Sequence, residues 1–256
     1  VEADIRTGAA ALFGSDTVGV YVPSTGSWFL RNDNSPGAAD LVFGYGPPGI
    51  GWLPLKGDWD GNGTDTAGLY DPVNGNFFLR NTNTGGGADL VYGFGPSGLG
   101  WIPLVGDWNG DGVDTVGLYD PVNGNFFLRN AHAPGAADLV YGFGPAGLGW
   151  IPLSGDWDGS ASDTIGLYDP VNGNFFLRNA HAAGGADLVY GFGPAGLGWN
   201  PLAGDWNGDG TDTIGLYDPA NGFFFLKDMH APGPADVVFG YGPANSMPIL
   251  GDWNGL

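Results

Sequence analysis

Aspartate and asparagine recur in this chain at a spacing that suits a hard cation. In residues 107–115, Asp107, Asn109 and Asp111 occupy positions one, three and five of a loop. Gly112 at six permits a sharp bend, and the carbonyl of Val113 falls at seven. Calcium takes about six to eight oxygen ligands, and short side chains alternating along a glycine-bent loop supply them. The same set returns as Asp58, Asp60, Asn62 and Thr64, and as Asp205, Asn207, Asp209 and Thr211. The loop at Asp156 and Asp158 departs: Ser160 stands at five and Ala161 replaces the bending glycine, so it is expected to bind worst. A fifth loop is split between the chain ends, with Asp252 and Asn254 at one end and Asp16 at the other. The competing reading is that Asp and Asn only close Asx turns and the glycines relieve strain.

Other periodic residues offer weaker chemistry. Trp52, Trp101, Trp150 and Trp199 end glycine-rich loops, where they either form stacking platforms for a sugar or pack beneath the loop. Arg31, Arg80, Arg129, Arg178 and Lys227 give one cation per repeat, expected to pair with Asp40, Asp89, Asp138, Asp187 and Asp236. His132, His181 and His230 lie about 49 residues apart, too regular for a shared zinc site, and are expected to be exposed turn residues. Catalysis needs a repeat that carries a nucleophile, a base or paired acids lacking in the others. None stands out, so the sequence reads as non-catalytic.

Composition narrows the classes. Only 7 Lys plus Arg stand against 27 acidic residues, for a formal charge of −20, which disfavours nucleic acid and anionic membranes as partners. Glu2 is the one Glu, and such a bias to Asp suits turns or cations rather than a merely solvating surface. With no Cys, disulfides and thiolate sites are excluded. No apolar run is long enough to span a bilayer as a helix. The chain opens at Val1, which fits a processed, secreted form, and an extracellular or cell-surface location is expected. The 51 Gly and 20 Pro, set against 14% aromatic residues, fit a packed, turn-rich all-β protein.

The elements that position these loops come from a repeat. Gly-Asp-Trp recurs at 57, 106, 155, 204 and 251, and the string GLYDPVNGNFFLRNAHA occurs identically at 117–133 and 166–182. Each unit holds four strand candidates, which in the second full unit are 101–108, 114–120, 125–130 and 137–144. The Asn-Gly of DPVNG is expected to supply the positive φ angles of a hairpin. No segment has a helical period. Four antiparallel strands every 49 residues predict an all-β, five-bladed β-propeller. The expected blades are 15–48 with 246–256, then 49–97, 98–146, 147–195 and 196–245. The first is completed by both termini, and 1–14 forms an unmatched extension.

The string VGDWNGDGVDTVGLYDPVNGNFFLR resembles the FG-GAP (VCBS-type) repeat of integrin alpha-chain propellers and bacterial secreted proteins. The likeness runs over essentially residues 15–256. It implies calcium loops joining the innermost strand of a blade to the second, and binding or adhesion rather than catalysis. The family pattern also implies an acid at position nine. Here Thr66, Thr115, Thr164 and Thr213 stand there, while Asp65, Asp114, Asp163 and Asp212 stand at eight. Either the eighth-position Asp closes the shell or the site is weak. The resulting expectation is a calcium-binding, non-catalytic extracellular adhesion or scaffold propeller that binds a glycan or protein or self-associates through its termini or edges. A five-bladed lectin is the alternative.

Overall fold

The computed structural model describes residues 14–255, which form twenty strands and no helix. In chain order these begin with β1 (Thr17–Val22), β2 (Ser27–Leu30) and β3 (Leu41–Gly44). Then come β4 (Leu53–Gly57), β5 (Thr66–Asp71), β6 (Asn76–Leu79) and β7 (Leu90–Gly93). The next four are β8 (Ile102–Gly106), β9 (Thr115–Asp120), β10 (Asn125–Leu128) and β11 (Leu139–Gly142). They are followed by β12 (Ile151–Gly155), β13 (Thr164–Asp169), β14 (Asn174–Leu177) and β15 (Leu188–Gly191). The last five are β16 (Asn200–Gly204), β17 (Thr213–Asp218), β18 (Phe223–Leu226), β19 (Val237–Gly240) and β20 (Met247–Gly251). They form five four-stranded antiparallel sheets, and the first strand of each lies beside the first strands of its two neighbours, so the sheets close a ring. The protein is a five-bladed β-propeller. Blade 1 is β20-β1-β2-β3, and blades 2 to 5 follow in chain order.

The termini close the ring as the split repeat predicts. β20 pairs with β1 of the same chain, from Thr17 opposite Gly251 to Tyr21 opposite Met247. This joins the two ends of the chain by one ladder and leaves no gap between blades 5 and 1. The extension expected at 1–14 lies outside the described residues, apart from Gly14.

The second strand is buried throughout in blades 2 to 5, as in β9, and up to Tyr21 in β1, because both faces of a blade pack against neighbours. The core is therefore five wedges at the seams rather than one central mass. At the seam of blades 2 and 3, Trp59, Tyr70, Phe77 and Leu79 meet Val116 and Leu118 of the next blade. Close approach there requires glycine: Gly95 has φ +77°, and a Cβ on it would stand 2.2 Å from a Leu118 methyl.

The first strands face a narrow central channel of about 220 Å³. Each is a sheet edge, and each carries a proline one step in, such as Pro54 and Pro103. Proline costs nothing on an edge whose N–H has no ladder partner, and it blunts that edge. The hairpin between second and third strands is longer than the Asn-Gly signal predicted. Asp71 pairs Asn76 across four intervening residues, and only Gly75, not Asn74, has positive φ. The Gly75 N–H reaches the Asp71 carbonyl at 2.8 Å, and the Asp71 carboxylate accepts the Val73 N–H at 2.9 Å.

Candidate functional site

Alternating connections give the ring two different faces. The Asp loops between first and second strands lie on one face, together with the loops between third and fourth strands. The hairpins and the inter-blade loops lie on the other. We call these the Asp face and the turn face.

Each complete Asp loop folds around the carboxylate at its first position. Asp107 Oδ1 accepts the N–H groups of Gly110 at 2.8 Å and Asp111 at 3.1 Å, and Oδ2 accepts that of Gly112 at 2.7 Å. The side chains at positions three and five bond to each other: the Asn109 amide donates to Asp111 Oδ2 at 2.9 Å, and the Val113 N–H to Asp111 Oδ1 at 3.0 Å. The loop of blade 5 matches, with Asn207 donating to Asp209 at 3.0 Å and Asp205 accepting from Gly208 and Gly210. In blade 2, Asp58 accepts from Asn62 and Gly63, and the Thr64 N–H donates to Asn62 at 2.9 Å, while Asp60 is exposed. Blade 4 keeps the shape although it lacks the glycine. Ala161 takes φ 64°, and its N–H reaches Asp156 Oδ2 at 2.6 Å; Ser160 donates its N–H to the same carboxylate, and Asp158 is exposed. In the loop left at the C-terminal end, Asp252 Oδ1 accepts the N–H groups of Asn254 and Gly255.

The eighth-position aspartates do something the sequence did not suggest. Each turns away from its own loop and clasps the loop of the preceding blade. Asp114 accepts the Asp58 N–H at 3.0 Å and returns its own N–H to the Asp58 carbonyl at 2.9 Å. Asp163 does this to Asp107, Asp212 to Asp156, Asp16 to Asp205 and Asp65 to Asp252. Five clasps thus run round the ring, and Asp16 serves the loop of blade 5 rather than that of its own blade. Among the described residues, no three His, Asp or Glu side chains gather closely enough to hold a metal by themselves. The donor chemistry of positions one, three and five still suits calcium, with Asn oxygens and water supplying the rest.

The clasping aspartates also crowd the end of the channel, where Asp16, Asp163 and Asp212 share a second cavity of about 220 Å³ with Asp156 and Asp205. Burial, reinforced by like charge, raises their carboxyls above the ordinary 3.8: Asp163 to about 6, Asp16 to about 7, and Asp114 and Asp212 markedly. One cation answers them. Lys56 Nζ lies 3.5 Å from Asp65, at a position that the other blades fill with Val105, Ser154, Ala203 and Leu250. Burial works to lower the Lys56 amine, but Asp65, Asp16, Asp114 and Asp212 outweigh it and raise it well above 10.5. Among the described residues Lys56 is the one charged side chain at the channel wall, and its sequence signal was a lone charge at a repeat position otherwise uncharged.

The three histidines are not exposed turn residues. Each sits half-buried at a seam, where its ring meets the preceding blade. His132 Nε2 donates to the Trp59 carbonyl at 3.0 Å and Nδ1 accepts the Tyr92 hydroxyl at 3.1 Å. His230 does the same with Trp157 and Tyr190, and His181 meets Tyr141 at 3.0 Å. The two seams without histidine use another pair. Where Tyr92 becomes Phe43 or Phe239, the residue facing it across the seam becomes Asn83 or Asn34, each donating to a backbone carbonyl of its own blade. Three Tyr–His seams and two Phe–Asn seams are thus matched within one chain, a pattern visible in the repeat only once the neighbours are known.

The arginines also differ from expectation. Arg129 and Arg178 do reach Asp138 and Asp187, at 3.3 and 3.2 Å, and Lys227 reaches Asp236 at 2.9 Å. Their guanidinium groups nonetheless spend most donors on loop carbonyls. Arg31 holds Ser35 and Ala38 at 2.7 and 2.6 Å, and its acidic contact is Asp33 rather than Asp40. Arg80 binds the Thr84 and Gly85 carbonyls, and Asp40 and Asp89 accept the backbone N–H groups of Asn32 and Asn81 instead. The reason is geometric: a curled ten-residue loop presents carbonyls closer than the cross-strand acid.

On the turn face, Trp52, Trp101, Trp150 and Trp199 are half-buried and stacked on Phe78, Phe127, Phe176 and Phe225, with ring centroids 4.4 to 4.6 Å apart. One indole face is thereby committed to packing. Comparison of the chain with family models, with curated proteins and with solved structures finds no match.

Proposed function

We propose that this propeller is a non-catalytic, calcium-binding scaffold of the extracellular space, a member in kind of the FG-GAP-like adhesion modules that its loops resemble. The observation that carries this reading is repetition. The same carboxylate-bearing loop, with oxygens at positions one, three and five, stands on one face in blades 2 to 5, whereas an active site needs one blade to differ. Positions one, three and five, with an Asn oxygen and water, would hold the cation; the eighth position serves the seam instead. Calcium there would lower the charge of a chain at −20.

Because hydrogen bonds to the first aspartate already shape the loop, calcium adds stability rather than creating the fold. Affinity belongs in the range of about 10⁻⁴–10⁻³ M that extracellular modules show. Isothermal titration with calcium, with magnesium as control, tests this. Heat that saturates near millimolar calcium and disappears in the Asp58→Asn, Asp107→Asn, Asp205→Asn triple variant supports the reading. No heat up to 10-fold beyond that range (about 10 mM) leaves the Asx-turn interpretation standing.

The lectin alternative rests on the outward face of the stacked tryptophans. Quenching of their fluorescence by soluble oligosaccharides favours it, and silence across a glycan array removes it.

A further inference from the structure

The turn face has an apolar surface that neither calcium nor the acidic loops explain. Among the described residues its charged side chains are Asp71, Asp120, Asp169 and Asp218, only 4 to 7% exposed and turned into their own hairpins. Asp120, for example, accepts the Val122 N–H at 3.0 Å and the Asn123 amide at 2.7 Å. What projects is uncharged: aliphatic tips stand beside exposed Asn74, Asn123 and Asn172. Val73, Val122 and Val171 tip the hairpins at 68 to 69% exposure, and Leu99, Leu148 and Leu197 tip the neighbouring loops at 61 to 62%. One bond locks each pair of tips together, such as the Gly147 N–H to the Pro121 carbonyl at 2.9 Å. Blade 5 lacks such tips, yet there Phe223, 41% exposed, replaces the Asn that begins the third strand of blades 2, 3 and 4.

We propose that this face pairs with the same face of a second copy of the chain. Summed, the six tips expose on the order of 600 Å², at the top of the roughly 300–600 Å² of a monomer's largest patch and below the roughly 800 Å² per partner of a standard interface. Charge selects the occupant. Two copies at −20 repel wherever the Asp faces or rims approach, and the turn face is the side free of exposed charge. Face-to-face pairing sets the acidic faces farthest apart, and a twofold contact is self-complementary for an apolar surface. A lipid surface is the poorer occupant, since among the described residues no Lys or Arg stands on this face to hold headgroups. The pairing is independent of the calcium reading, because the Asp loops lie on the opposite face.

Sedimentation equilibrium of the 256-residue chain tests it, run from micromolar to sub-millimolar concentration in chelator and again in calcium. The expected result is a concentration-dependent rise toward twice 26.4 kDa in both solutions. The rise should strengthen at higher salt, and dimerisation should weaken at least tenfold in the Leu99→Asp, Leu148→Asp, Leu197→Asp variant. The chain has no Cys, so a single Leu148→Cys should cross-link between copies with a short bismaleimide, whereas Asn109→Cys on the Asp face should not. A monomer throughout, or a dimer indifferent to the three substitutions, overturns the proposal. So does a chain that stays monomeric while binding neutral lipid vesicles or soluble glycans through this face.

Discussion

Tyr92 and His132 join blades 2 and 3 by a single hydrogen bond, from the tyrosine hydroxyl to imidazole Nδ1 at 3.1 Å. The bond fixes the tautomer, since Nε2 must then carry the proton it gives to the Trp59 carbonyl. It also explains why the repeat alternates Tyr–His with Phe–Asn as a matched pair.

That pairing predicts a thermodynamic coupling. Tyr92→Phe leaves Nδ1 without its donor, and His132→Asn strands the Tyr92 hydroxyl at a seam. Each single change should cost about 1 to 2 kcal/mol, while the double variant, which recreates the seam found between blades 1 and 2, should cost about 1 kcal/mol less than their sum. Urea denaturation of the four proteins measures this directly. Strict additivity would show that the two residues do not act as a pair.

The same seams impose a pH dependence. Burial holds His132, His181 and His230 below the ordinary imidazole value of 6.5. The unfolded chain therefore takes up these protons first as pH falls. Their stabilising contribution is complete above about pH 6.5 and declines as pH drops toward the folded-state values. The difference in stability between the parent and the Tyr92→Phe, His132→Asn variant should shrink between pH 7 and pH 5. A constant difference contradicts the assignment.

The clasping aspartates predict the opposite slope. The carboxyl of Asp163 is raised, chiefly by burial, from 3.8 to about 6, so the folded state holds its proton more tightly than the unfolded one. Its contribution is full below about pH 4 and is lost as pH rises through 6. Asp163→Asn keeps an oxygen for the Asp107 N–H without the charge. It should stabilise the fold at pH 8 by on the order of 2 kcal/mol and have little effect at pH 4.5. Destabilisation at both pH values would mean that the carboxylate is needed as a charge.

Lys56 should behave in mirror image. Lys56→Met removes the cation nearest Asp65. The expected loss is on the order of 2 kcal/mol at pH 8, where an unpaired buried charge is left behind. At pH 4.5, with Asp16, Asp114 and Asp212 holding their protons, the loss should be smaller. Chemical denaturation at the two pH values decides it.

Ala161 holds a left-handed conformation, φ 64°, where the equivalent loops use Gly63, Gly112 and Gly210 at φ 82° to 83°. Ala161→Gly should therefore stabilise by about 1 kcal/mol, read as a rise in melting temperature. No rise would mean that the loop carries no strain there.

Much of this architecture was legible in the chain. Gly-Asp-Trp at blade spacing, period-two strands such as 114–120 and the split first repeat specify five blades and their closure, because strand pattern and turn chemistry are local properties of the backbone. The loop oxygens were legible for the same reason. Asp107, Asn109 and Asp111 are close in sequence, and their bonds stay within one turn.

Three matters were decided only by the tertiary structure. Asp114 binds Asp58 and His132 binds Tyr92, partners 56 and 40 residues away, which meet because blade packing fixes which loop lies beside which. Lys56 acquires its role only when ring closure gathers the carboxylates of Asp16, Asp65, Asp114, Asp163 and Asp212 about it. The segregation of charge to one face and aliphatic tips to the other follows from antiparallel connections alternating sides, a property of the assembled ring. Strands, turns and the number of blades follow from local pattern along the chain. Closing the ring determined what those elements face, because contact between distant side chains is set by packing, and packing exists only in the folded whole.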